Sequence, residues 1–182
     1  MLIVSALFGS WLGMQLVHEA GHVAAAWLTG GRVARVVFFP LTISRTDLEH
    51  NPHPLAVAWA GPIVGVVAPL LLWTVAFAIR MPGAYLLRFF AGFCLIANGL
   101  YIGLGSFNRV GDCGEMLRHG SEPWQLWLFG VATAPLGLWL WHGEGRHFGV
   151  GITNGSVNRW AAYVTFVVFM ILLAIGVIVG GG

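Results

Sequence analysis

Five apolar stretches, each near the length of a bilayer crossing, leave this chain few ways to fold. They are Leu2–Leu28, Leu55–Ile79, Ala84–Phe107, Trp124–Trp141 and Trp160–Val179. A helix needs about 20 apolar residues to span the hydrocarbon core, so each stretch predicts a transmembrane helix. The fourth is the weakest, being short and holding Pro135. Composition agrees: 58% of residues are hydrophobic and 9% are charged, against about 25% charged in a soluble domain. A surface this apolar is not tolerated by water. The sequence therefore predicts an all-α, multi-pass integral membrane protein forming one domain over residues 1–182, with the lipid bilayer as an obligatory partner. No internal repeat is visible, which disfavours an inverted-repeat transporter. The formal charge of +2 comes from scattered arginines and excludes a nucleic-acid partner.

The connection after the first stretch differs from the others. Residues Arg32–Phe39 and Leu41–Ser44 are rich in β-branched and aromatic side chains and are too short to span. They predict one or two short strands, a hairpin at the membrane surface. Its edge either pairs with an extended peptide by strand addition or merely covers the helix ends.

The first stretch carries the chemistry. His18-Glu19-Ala20-Gly21-His22 is H-E-x-x-H on a predicted helix. Imidazoles at i and i+4 project from one face and reach a single Zn²⁺, and the carboxylate between them lies beside the metal as a general base. An ionised group at the bilayer centre costs about 2.5–3.5 kcal/mol even on the mildest scale, and a metal is the most economical way to offset that cost. The third stretch runs in the same direction as the first. Asp112 lies just past its end, so it approaches the histidines at one membrane face and supplies a third ligand. Two histidines and one carboxylate leave a fourth position open, the catalytic pattern rather than the structural one. Glu115 and Cys113 are the rival ligands. His50 and His53 form a weaker, interfacial pair. Asn108 and Asn98 are the available amides for a substrate backbone or an oxyanion, and interhelical hydrogen bonding is at least as good a reading of Asn98.

These residues resemble the site-2 protease family of intramembrane zinc metalloproteases. Three landmarks fall in that family's order: His18–His22 on the first core helix, Ala60-Gly61-Pro62 near the start of the next, and Gly111-Asp112-Cys113-Gly114 after the third. The resemblance covers residues 1–118, and the last two predicted spans, within 122–180, are additional. It implies that His18, His22 and Asp112 bind zinc and that Glu19 activates water. It implies a site near the cytosolic face and a substrate that is a transmembrane or membrane-associated helix. Arginine bias barely supports that orientation. Arg32, Arg35, Arg45, Arg109 and Arg118 fall on the motif side, and Arg80, Arg88, Arg146 and Arg159 on the other. The chain departs from the family pattern at Cys113, which follows the aspartate where glycine is usual, and at Gly65, where an asparagine is expected. The competing functional readings are a divalent-metal carrier and a catalytically silent relative that binds membrane helices without cutting them.

Overall fold

The computed structural model describes residues 1–40, 42–150 and 157–180. Its elements are α1 (Leu2–Leu28), β1 (Arg32–Val37), β2 (Arg45–His50), α2 (Pro54–Ala78), α3 (Ala84–Asn108), α4 (Asp112–Arg118), α5 (Pro123–Trp141) and α6 (Arg159–Gly180), with a 3-10 turn at Glu144–His147 between the last two. The long helices match the five apolar stretches to within one or two residues. Their ends follow local chemistry. Thr29 closes α1 with a hydroxyl bond to Ala25 O at 2.7 Å, and Gly30 then turns the chain at φ +80°. Pro54 and Pro123 occupy first turns, where their missing N–H costs nothing.

Among the described residues, three helices are long and apolar enough to cross a membrane: α2, α3 and the Arg159–Ile178 part of α6. This is fewer than the five spans predicted. The helix α1 is longer than any of them but carries Gln15, His18, Glu19 and His22, and α5 has 19 residues with Pro135 inside. The outer faces are apolar. Leu71, Leu72, Val75 and Phe77 on α2, and Val164, Val167, Ile171 and Ile178 on α6, are exposed. An apolar surface of that extent suits lipid.

Helix α1 packs against α2 and α6, while α3 packs against α2 and α5. The α3–α5 seam is made of small residues. A Cβ on Gly99 would collide with Thr133 Oγ1 and lie 3.0 Å from Ala134 N, and one on Gly130 would lie 2.9 Å from Gly99 O. The spacing Gly99-x-x-x-Gly103 thus acts as a packing signal.

The hairpin is antiparallel, pairing Val36 with Thr46 and Arg35 with Asp47. The predicted second strand at Leu41–Ser44 is corrected. Leu41 lies outside the described residues, Thr42–Ser44 are not strand, and β2 begins at Arg45. The strand that forms is the polar Arg45–His50, which sets Asp47 opposite Arg35 across the pair. Arg35 Nε donates to Asp47 Oδ2 at 2.7 Å, and this bond holds the Asp47 carboxyl below its ordinary range. β-branched content does not report such pairs.

Gly99→Leu should force α5 off α3. Overpacking of this kind costs about 1–3 kcal/mol, to be read as a lowered unfolding midpoint in detergent, while Val131→Ala, on the exposed face of α5, should change the midpoint far less.

Candidate metal centre

His18 and His22 sit one turn apart on α1, 7% and 6% exposed, with their Nε2 atoms 3.0 Å apart. Asp112, from the start of α4, meets both: Oδ2 is 2.8 Å from His18 Nε2 and Oδ1 is 3.4 Å from His22 Nε2. Among the described residues, this is the one cluster of three metal-type side chains with converging donor atoms. Sequence separation between Asp112 and His18 is 94 residues, so the tertiary fold alone creates it.

The far side of each ring fixes its proton. His22 Nδ1 lies 2.8 Å from Val57 O, and a backbone carbonyl only accepts, so Nδ1 carries the hydrogen. Asn98 Nδ2 donates to Cys94 O at 2.9 Å, which turns Asn98 Oδ1 towards His18 Nδ1 at 2.7 Å. With each imidazole neutral, both present a bare Nε2 to the carboxylate. Two lone pairs and an anion at 2.8–3.4 Å repel one another unless a proton or a metal cation joins them. With metal–donor bonds of about 2.0–2.1 Å, tetrahedral geometry puts donors about 3.3 Å apart, close to the spacing observed. Gly61 supplies the cradle. A Cβ there would collide with His22 Nε2 and sit 2.8 Å from His18 Nε2, so only glycine lets α2 close over the pair. Pro62 has no N–H for Ala58 O, so the turn of α2 that offers Val57 O to His22 is already short of one helical bond.

Asp112 is aimed by a tight reversal. Helix α3 ends on Arg109 in the left-handed region at φ 53°, and Gly111 follows at φ +60°. The Asp112 N–H then donates to Tyr101 Oη at 3.2 Å. Cys113 and Met116 bury completely beside Ala58, Ile102 and Leu126, anchoring α4.

Glu19 is 4% exposed and lines a cavity of about 1180 Å³ together with His18, His22 and Asp112. Ser44 Oγ and Thr46 Oγ1 donate to its two carboxylate oxygens, each at 2.7 Å. No arginine pairs with it among the described residues.

The other predicted residues divide. Asn108 is exposed on the cavity wall. Asn98 differs from its predicted role as a substrate amide. It is 1% exposed with both polar atoms engaged, so it orients His18 instead. Its side chain fills the space beside Gly65, where an added Cβ would lie 2.9 Å from both Asn98 polar atoms. Cys113 bonds weakly to Tyr101 O and Ile102 O, away from the cluster, and burial pushes its thiol up to about 11. Glu115 turns to Arg118 and His119. His50 and His53 are exposed and belong to no such cluster. Sequence reasoning misses Ser44, Thr46, Tyr101 and the Val57 carbonyl. Each acts through a bond made across the fold, and no motif spacing announces it.

A family model described as Peptidase M50B-like matches residues 11–103, just over half of the chain. The chain belongs to this family. The resemblance to the site-2 proteases is thereby borne out. The match contains the His18–His22 motif, Gly61 and Asn98 but stops before Asp112, so Asp112 joins the cluster on geometry alone. No curated protein and no solved structure matches the chain at significance. As a member of the M50B-like family rich in long apolar helices, it is a membrane protein.

Gly61→Ala should abolish divalent-metal binding, measured as metal per purified chain. Asn98→Leu, which removes the partner of His18 Nδ1, should weaken metal affinity about 10–100-fold in a chelator competition.

Proposed function

We propose that this chain is an intramembrane zinc endopeptidase, a single domain over residues 1–182 with its core in 1–118. It would cut a transmembrane or membrane-associated helix near the cytoplasmic face. The observation that supports this best is the convergence of two imidazole nitrogens and one carboxylate beside Glu19, on the wall of a cavity. His18 Nε2, His22 Nε2 and the Asp112 carboxylate would hold the ion. Bound zinc supplies a Lewis acid, which polarises a carbonyl and eases deprotonation of water.

The rest is work for the chain's own residues. Glu19 takes a proton from the attacking water and later delivers it to the leaving amine. Asn98 and Val57 O keep both rings in the tautomer that leaves Nε2 free. Asn108, exposed on the cavity wall, is the amide open to a substrate backbone. A helical peptide bond is shielded and already hydrogen-bonded, so the substrate must unwind locally. We therefore expect preference for Gly, Pro or Asn near the cut.

The test uses a synthetic transmembrane peptide with a central Asn-Gly-Pro break and a fluorophore–quencher pair, in detergent. Zinc-loaded protein should cleave it, and Glu19→Gln should keep its zinc and lose at least about 100-fold in rate. His22→Ala and Asp112→Ala should lose the metal itself. Retained cleavage by Glu19→Gln would remove Glu19 as the base. A zinc-loaded wild type that binds the peptide uncut would mark a silent relative, and zinc flux into vesicles would favour a carrier.

A further inference from the structure

The base of the proposed site is held by the hairpin. Ser44 Oγ donates to Glu19 Oε1 and Thr46 Oγ1 to Glu19 Oε2, both at 2.7 Å. Residues two apart in extended chain point the same way, so Ser44, just before β2, and Thr46, within it, bring two hydroxyls to one carboxylate. Ser44 is itself pinned: its N–H donates to Gln15 Oε1 at 2.8 Å, one turn earlier on α1. Gln15, Glu19 and Ser44 are all buried, and Gln15 Nε2 has no partner among the described residues. Its carboxamide is committed to holding Ser44.

One donor would let the carboxylate rotate about its last torsion. Two donors, one on each oxygen, fix its plane. An ionised carboxylate offers about four lone-pair sites. Two stay free on the fixed group, enough to receive a proton from water. We propose that Ser44 and Thr46 are positioning residues that set the Glu19 carboxylate against the cavity, with Gln15 holding Ser44 in register. The inference rests on the proteolytic reading above.

Two measurements test it. In chelator-stripped protein, amide hydrogen exchange of residues 44–50 should rise about tenfold in Glu19→Ala, because the hairpin loses two of its three hydrogen-bond anchors to α1. Asp112→Ala, which does not touch the hairpin, should leave it unchanged. With the quenched peptide, Ser44→Ala and Thr46→Val should each lower kcat about tenfold, keep KM within about twofold and retain full zinc. Ser44→Thr and Thr46→Ser, which keep a hydroxyl, should retain the wild-type kcat. Unchanged kcat in both hydroxyl-free variants, a loss that tracks zinc content, or unaltered exchange in Glu19→Ala would overturn the inference while the wild type still cuts. A fully loaded wild type that leaves the peptide whole overturns the proteolytic reading and this role together.

Discussion

Two imidazole nitrogens and a carboxylate held within 3.4 Å of one another are the constraint on which the rest of this molecule turns. Nothing in an apolar bundle brings two imidazoles and a carboxylate together spontaneously. Each element beside them has a feature that makes sense as a means to that end. Helix α2 gives up a side chain at Gly61 and a hydrogen bond at Pro62. Helix α3 commits Asn98 to the back of His18. The reversal at residues 109–111 accepts one non-glycine residue in the left-handed region so that Asp112 turns inward. A non-glycine residue held there costs about 1–3 kcal/mol, which a bound cation would offset.

The polar part of α1 is likewise surrounded rather than exposed. Gln15, His18, Glu19 and His22 are each under 10% exposed, and every one has a partner from another element. In hydrocarbon an unsatisfied polar group costs several kcal/mol, so the hairpin and α2 are as much part of α1's stability as its own backbone bonds. This also explains why α1 falls outside the three helices that qualify as spans by composition. Its polar face meets protein instead of lipid.

How much of this could be read from sequence depends on how local each feature is. His18, Glu19 and His22 lie within one turn and a half, so their shared face follows from helix geometry. The long helices follow from apolar runs, whose boundaries the polar connections mark. Asp112 was reachable through topology, since two crossings return the chain to the same face. The strand β2 was misplaced because propensity does not show the pairing of Asp47 with Arg35 across the hairpin. The commitment of Asn98 is hidden for a related reason. An amide on an apolar helix looks available until the fold shows that Gly65 on the facing helix leaves a gap and that His18 presents an N–H into it.

The pairing of Gly65 with Asn98 bears on how a divergent member of the family keeps its site. A side chain on α2 at Gly65 would collide with the amide arriving from α3. The space between α1, α2 and α3 holds one carboxamide, that of Asn98, and interiors are packed too closely for a second side chain beside it. An amide that reaches His18 from α3 orients the ring but is then spent. That Asn98 can reach His18 from α3 is thus a consequence of volume, set by one missing side chain on α2.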